Sequence, residues 1–268
     1  MILEPLTNDE LNEIFDETSK KVLRFYMKKA IILQPEILPG QNILPIQVPK
    51  EHVEQWVLQA IGGEPVGAGS FPVDIVKPNQ FGVDVKMLSC SLDLNGMPSN
   101  SESGEASLAQ KFDIEGINLD NLFEEGGYER IVDLWKNILY EKLSYVSNKF
   151  QLEKIYYIFI LRAGNNFFLC GTRVNINEIQ NMNIERYTKK SVFVSGLIDS
   201  TLGQGKIYQS KKRLELRLRP ANWINSGYAI QISKNYQHTI PLNMRYIIEN
   251  NMLYDYKRDI YNLLLEED

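Results

Sequence analysis

The stretch Phe71-Pro-Val-Asp-Ile-Val-Lys77 is followed, after a Pro-Asn-Gln segment, by Gly82-Val-Asp-Val-Lys-Met-Leu88. Both stretches are rich in β-branched residues, and the segment between them has the composition of a turn. The pattern therefore predicts a β-hairpin. A three-residue loop places Asp74 directly opposite Asp84, and the alternation of side chains along a strand puts Lys86 on the same face as Asp84.

The two carboxylates of this hairpin need a compensating charge. Like charges directly opposite each other destabilise a strand pair. Val73, Val83 and Val85 predict a central, apolar position, where charges are rarely buried unless they are paired or bind a metal. Mg²⁺ takes oxygen ligands and needs only one or two protein carboxylates together with a substrate phosphate. We therefore interpret Asp74 and Asp84 as a magnesium site; the alternative is a turn-forming aspartate beside a solvated, charge-paired strand face.

The hairpin resembles the active-site motif of the PD-(D/E)XK nuclease superfamily, which has the restriction-endonuclease-like fold. Pro72 and Asp74 match the first part of that motif, and Asp84-Val-Lys86 matches the second part. The match departs from the strict pattern because Val73 separates the proline from the first aspartate. The resemblance covers residues 50 to 90 of the chain. It implies an α/β fold with a mixed central sheet flanked by helices.

The resemblance also implies a role for each residue of the motif. Asp74 and Asp84 would hold one or two Mg²⁺ ions, with the backbone carbonyl of Val85 as a further ligand. Lys86 would position the attacking water through its charge, because an ammonium beside carboxylates and a phosphate stays protonated.

A further acidic residue is expected before the hairpin. In the family, the helix that precedes the catalytic strands often carries a glutamate that faces the metal. The apolar spacing of residues 50–61 predicts such a helix, and Glu54 is the candidate on it. Glu51 and Glu64 are alternatives, and all three also suit a solvated surface.

By this resemblance the protein is a Type II restriction endonuclease, a site-specific deoxyribonuclease that needs Mg²⁺ and acts on double-stranded DNA. Such enzymes are typically homodimers, and a two-fold dimer reads a palindrome. A cognate DNA methyltransferase is expected genetically rather than as a bound subunit. The alternatives are a DNA-repair or junction nuclease of the same fold, and a catalytically inactive DNA-binding protein.

Composition narrows these possibilities. The net charge of −5 argues against indiscriminate nucleic-acid binding, although a nuclease needs only a local basic surface. His52 and His238 are the only histidines, which disfavours histidine-metal nucleases and Ser-His-Asp catalysis.

Cys90 and Cys170 are interpreted as buried free thiols in a reducing cytosol. The sequence has neither a run of about eighteen apolar residues nor a secretory signal, so we expect a cytoplasmic protein without a membrane span.

A locally basic segment lies between Gly203 and Pro220, where Leu214, Leu216 and Leu218 alternate with charged residues. This alternation predicts a half-buried strand with a charged outer face. We interpret that face as a DNA contact surface, and the alternative is an ordinary solvated sheet face. The candidate DNA-binding residues are Lys206, Tyr208, Gln209, Lys211, Lys212, Arg213, Arg217, Arg219 and Asn222.

The chain is predicted to form one domain over residues 1–268. Its parts are an N-terminal helical segment (1–49), a catalytic core (50–175), and a DNA-recognition and C-terminal helical part (190–268). Predicted helices cover 8–30, 107–112, 119–148 (as one helix or two, broken near Gly126) and 242–266. Predicted strands cover 154–161, 167–174 and 191–197, an extended connector covers 34–49, and a polar loop covers 91–106.

Overall fold

The computed structural model describes residues 1–34, 40, 48–67, 71–110, 112, 114–233 and 243–265. Most of the predicted connector at 34–49, and His238, lie outside these residues. In chain order the strands are β1 (Leu3–Pro5), β2 (Glu64–Pro65), β3 (Ile75–Lys77), β4 (Phe81–Leu92), β5 (Pro98–Ser103), β6 (Glu105–Gln110), β7 (Lys154–Ala163), β8 (Asn166–Val174), β9 (Asn183–Thr188), β10 (Ser191–Ser195), β11 (Gly203–Tyr208), β12 (Arg213–Leu218) and β13 (Ala229–Gln231). The α-helices are α1 (Asn8–Ile14), α2 (Glu17–Ile32), α3 (Lys50–Ile61), α4 (Leu119–Glu124), α5 (Tyr128–Phe150), α6 (Pro220–Asn225), α7 (Met244–Glu249) and α8 (Leu253–Leu265).

The strands form two sheets. The main sheet has the order β1-β8-β7-β4-β3-β2, with β13 also pairing with β8 and β5 with the end of β4. Its central strands β4 and β7 run parallel, whereas its other pairs are antiparallel, so the sheet is mixed. The second sheet has the order β6-β12-β11-β10-β9 and is antiparallel throughout. The predicted α/β class with a mixed sheet and flanking helices is therefore confirmed.

Helices cover both faces of the main sheet. On one face α1, α2 and α3 pack against an apolar surface that includes Val83 and Val85 of β4. On the other face α5 and the inner side of the second sheet share one core with β4, β7 and β8. The side chains of α5 in this core recur every three or four residues, which is the spacing of one helix face: Ile131, Trp135, Leu139, Leu143 and Val146.

Two predicted helices are interrupted for local reasons. The helix predicted at 8–30 is two helices, because the Asp16 carboxylate accepts the Ser19 N–H at 2.7 Å and begins α2 anew. The segment 119–148, predicted as one helix or as two broken near Gly126, forms two helices. Gly126 between α4 and α5 has φ 73°, a left-handed conformation that glycine adopts without steric cost.

The predictions for residues 91–106 and 107–112 are wrong. Strand β4 continues to Leu92, and β5 and β6 follow where a loop and a short helix were expected. The reason is pairing with a distant partner, because β6 joins β12 of the second sheet and buries Ala106 and Leu108 in the core. Strand β9, which sequence analysis missed, forms a hairpin with β10.

Other sequence predictions can be compared directly with the fold. Cys90 and Cys170 are free thiols; Cys170 is buried and Cys90 is only partly so. No helix in the described ranges is both long enough and apolar enough to cross a bilayer. Helices α7 and α8 lie in the region predicted to hold terminal helices.

Candidate active site

The β3–β4 hairpin has the predicted register. Lys77 pairs with Phe81 and Ile75 pairs with Val83, which leaves a three-residue connection. Asp74 directly precedes the paired residue Ile75, and its carboxyl group is hydrogen-bonded to that of Asp84. The backbone of Asp74 is held there, because its N–H donates to the carbonyl of Val83 at 2.8 Å.

Strand β3 is short, so the edge of β4 beyond Val83 is open to the Asp74 side chain. The Asp74 carboxylate accepts the backbone N–H of Val85 at 2.7 Å. The N–H and C=O of one strand residue point to the same side of the strand. The carbonyl of Val85 therefore also faces the edge at which Asp74 lies.

Asp84 and Lys86 lie in close contact, and both side chains are largely buried. The Lys86 Nζ lies 2.5 Å from the Asp84 Oδ1, and the two side chains are 14% and 8% exposed, respectively. Both project from the face of β4 that is directed towards α5 and the second sheet. In the parallel pairing with β7, Asp84 is level with Tyr157 and Lys86 is level with Phe159.

Burial governs the charge of this site. It raises the pKa of Asp84 to about 8; the Lys86 ammonium opposes that shift, and Asp74 adds to it through its charge and a hydrogen bond. Burial alone would lower the pKa of Lys86, but nearby carboxylates raise it overall, chiefly those of Asp84 and Asp74. In the metal-free protein at neutral pH, Asp84 therefore keeps its proton and Lys86 keeps its positive charge.

Glu54 is the one of the three candidate glutamates whose charge contributes to the raised pKa of Lys86. It is half-buried on α3, the helix that packs against β4 and precedes the hairpin in the chain. Glu51 is exposed in the first turn of α3, and Glu64 is exposed in β2. The structure thus brings Asp74, Asp84, Val85 and Lys86 together at one strand edge, with Glu54 in electrostatic range.

Tyr157 is a neighbour of the site that sequence analysis did not identify. It is 1% exposed, and its hydroxyl has no hydrogen-bond partner among the described residues. Burial raises its pKa, and the charges of Asp84 and Asp74 raise it further. No local signal distinguishes Tyr157 from Tyr156; only the register of β4 on β7 does so.

The donor set suits a hard cation. Within the described ranges, no group of three or more His, Cys, Asp or Glu side chains is arranged as a metal centre. Asp74 and Asp84 supply two carboxylates, and Val85 supplies a carbonyl on the same edge. Oxygen donors of this number and type fit Mg²⁺, which retains several waters, and they do not fit the four-ligand nitrogen and sulfur sites of structural zinc.

The candidate DNA-binding residues lie on or beside the second sheet. They occupy β11 (Lys206, Tyr208), the following turn (Gln209, Lys211, Lys212), β12 (Arg213, Arg217) and the start of α6 (Arg219, Asn222).

Several of these residues already have partners within the protein. Lys211 lies 2.8 Å from both Glu105 and Glu215, and the Tyr208 hydroxyl donates to Glu105. Lys212 pairs with Asp120 at 3.3 Å. The Asn222 side chain donates to the carbonyl of Thr201 at 2.5 Å and accepts from Asn100 at 2.9 Å.

Comparison of the chain with family models, with curated proteins and with solved structures gives no match. The functional proposal therefore depends on the residues of the site and their geometry.

Proposed function

We propose that the protein is a Mg²⁺-dependent nuclease with a restriction-endonuclease-like core that hydrolyses phosphodiester bonds in double-stranded DNA. The observation that carries this proposal is the convergence of Asp74, Asp84 and Lys86 at the open edge of β4. Two carboxylates beside a buried ammonium form the kind of donor set that metal-assisted phosphoryl chemistry uses.

Asp74, Asp84 and the carbonyl of Val85 would hold the metal ion. When bound, Mg²⁺ lowers the pKa of a water molecule and offsets the charge that develops on the scissile phosphate. Asp84 must release its proton to act as a ligand, because a carboxylate binds the cation in its ionised form. The pairing of β4 with β7 fixes the position of Asp84, and the hydrogen bond from the Val85 N–H fixes the Asp74 carboxylate.

Lys86 supplies a fixed positive charge on the substrate side of the carboxylates. Because its pKa is raised, it stays protonated and acts as an electrostatic group rather than as a free base. It can donate hydrogen bonds to the attacking water and to a phosphate oxygen. Glu54, which is in electrostatic range of Lys86, is the residue we assign to orienting that ammonium or a water near it.

Among nucleases of this kind, we favour a homodimeric Type II restriction endonuclease. Two copies related by a two-fold axis would place one site on each strand of a palindrome. A DNA-repair or junction nuclease is the second candidate, because one catalytic hairpin of this type serves either reaction.

The test is a cleavage assay with matched variants. Purified protein is incubated with unmethylated phage DNA in Mg²⁺ or in EDTA, alongside Asp84→Asn, Lys86→Met and Asp133→Asn. Asp133 is an exposed aspartate of α5 and serves as the control. We expect cleavage by wild type and Asp133→Asn in Mg²⁺ only, and at least a hundredfold loss in the other two variants.

The products separate the candidate functions. Discrete bands indicate a site-specific restriction enzyme, and cutting only at branched or damaged DNA indicates a repair enzyme. Metal-dependent cleavage by Asp84→Asn at the wild-type rate would refute the proposed site. If calorimetry shows no binding of Mg²⁺ or Mn²⁺ to the wild type, the protein is a catalytically inactive member of the fold.

A further inference from the structure

The outer face of the second sheet carries cations held against aromatic rings. The Arg186 guanidinium lies 3.5 Å from the centre of the Phe193 ring. The Lys206 ammonium lies 4.9 Å from the Phe193 ring and 3.9 Å from the Tyr208 ring. Phe193 pairs with Arg186 of β9 on one side and with Lys206 of β11 on the other. We call Arg186, Phe193, Lys206, Tyr208 and Arg217 the cationic face.

The positive charges of this face are crowded. The pKa of Lys206 is lowered, first by burial and then by the charges of Lys211, Arg186 and Arg217, although Glu105 opposes the shift. Among the described residues, no carboxylate forms an ion pair with Arg186, Lys206 or Arg217. Arg186 and Arg217 thus repel Lys206, and Glu105 attracts it without forming an ion pair, in a chain whose net charge is −5.

The rings and backbone hold the three cations in place. Cation–π contact favours the observed positions of Arg186 and Lys206 over free rotation in solvent. Arg217 is held separately, because its guanidinium donates to the carbonyl of Ser101 at 2.9 Å. A cation that is already positioned loses less conformational entropy when it binds an anion. Lys211 and Lys212 differ, since each forms an ion pair with an acidic side chain.

The cationic face is connected to the candidate active site through β5. Arg217 contacts Ser101 of β5, and β5 pairs with the end of β4, the strand that carries Asp84 and Lys86. The strand path from Lys86 to Ser101 measures about 25 Å at the usual strand rise and spacing. This path is an upper limit on the separation of Lys86 from Ser101, the partner of Arg217, and corresponds to about seven base pairs of duplex.

We propose that the cationic face binds backbone phosphates of the DNA duplex outside the hydrolytic site, with Arg186, Lys206 and Arg217 as the phosphate ligands. The proposal rests on the function proposed above, because that function makes DNA the polyanion. It adds Arg186 and Phe193 to the residues expected from sequence. It also leaves out Lys211 and Lys212, which form ion pairs with carboxylates within the protein. Such contacts hold the duplex in position and do not read its sequence.

The experiment measures duplex binding in the non-cleaving Asp84→Asn protein. A fluorescent 30-base-pair duplex is titrated in EDTA at several salt concentrations, with Arg186→Met, Lys206→Met and Arg217→Met singly and combined. Lys21→Met is the matched control, because Lys21 is an exposed lysine on α2, beyond the opposite face of the main sheet. Thermal melts verify that each variant is folded, and the exposed positions 186 and 217 allow the test even if Lys206→Met does not fold.

Each lost phosphate contact reduces the slope of log affinity against log salt by about 0.9. The triple variant should therefore lose about 100-fold in affinity at 0.15 M salt, equally for duplexes of unrelated sequence, while Lys21→Met should match its parent. An unchanged slope in the triple variant, or no duplex binding by the Asp84→Asn parent, overturns the inference.

The outcomes distinguish this inference from the proposed function. Mg²⁺-dependent cleavage by wild type together with an unchanged salt slope in the triple variant refutes the cationic face alone. Absence of metal binding and cleavage, together with a reduced slope, refutes the nuclease and supports the cationic face as a DNA-binding surface.

Discussion

Replacing Asp84 with asparagine should change how the stability of the metal-free protein depends on pH. Asp84 is 6% exposed, and burial raises its pKa to about 8. In the unfolded chain an aspartate titrates at about 3.9. Between those two pH values, the folded protein holds one proton at this position that the unfolded chain has released.

The magnitude follows from linkage. One additional proton on the folded state makes the free energy of unfolding fall by about 1.4 kcal/mol for each pH unit. The stabilising contribution of protonated Asp84 is complete below the unfolded pKa and is lost as the pH rises towards 8. From pH 5 to pH 7 the loss is about 3 kcal/mol. Lys86 adds nothing to this slope, since its raised pKa keeps it protonated in both states.

The assay is urea unfolding in EDTA at pH 5, 6, 7 and 8, for wild type, Asp84→Asn and the control Asp133→Asn. Asparagine carries no titrating proton, so the difference in unfolding free energy between wild type and Asp84→Asn should fall by about 3 kcal/mol between pH 5 and pH 7. The control should follow the wild type. A difference that stays constant with pH would show that Asp84 is already ionised in the folded protein, and that its pair with Lys86 outweighs burial.

Three further predictions concern the metal, the thiols and a helix cap. Mg²⁺ should raise the melting temperature of wild type more at pH 8 than at pH 6, because binding must displace the Asp84 proton; an equal rise in Asp84→Asn would contradict this. Burial raises the pKa of Cys90 to about 11 and holds the pKa of Cys170 well above its usual value, so mass spectrometry should detect no iodoacetamide adducts at pH 8 in the native protein and two in urea. Asp16→Ala should lower the free energy of unfolding by about 1 kcal/mol because the Ser19 N–H loses its cap, and an unchanged urea midpoint would refute that assignment.

The part of the site that sequence could predict is the part fixed by local geometry. The Pro-Asn-Gln turn sets the register of β3 on β4, which pairs Ile75 with Val83 and so brings the neighbouring Asp74 close to Asp84. The alternation of side chains in β4 then places Lys86 beside Asp84. No long-range information is needed for these three residues.

The remainder depends on contacts between distant segments. Tyr157 is next to Asp84 only because β7 pairs with β4 in one particular parallel register. The residues of β6 resemble a loop in sequence, and they form a strand because β12, about a hundred residues later, supplies the hydrogen bonds and the apolar partners. Local propensity does not contain such pairings.

The interpretation of the basic segment between Gly203 and Pro220 was limited in the same way, because it too depends on contacts between distant segments. Alternation of leucines in 213–218 correctly predicted a strand, in which Arg213 and Arg217 are exposed whereas Glu215 is buried. It could not separate Lys206 from Lys211, because the difference between them is whether Glu105 of β6 lies within ion-pair distance. Sequence analysis missed Arg186 because its partner Phe193 lies on the next strand. A cation–π contact between two strands produces no sequence pattern within either of them.

Strand β4 connects the two surfaces that the proposals combine. Its first half carries Asp84 and Lys86 between β3 and β7, and its end leads through β5 into β6, the edge strand of the second sheet. The Arg162 guanidinium on β7 donates to the Ser89 hydroxyl of β4 at 2.7 Å, which ties the two central strands together beyond the site. Strand pairing and covalent continuity within one chain therefore link the cationic face to the strand that carries Asp84. Under the proposed function, a second copy of the chain would cut the opposite DNA strand. The first cut does not require it.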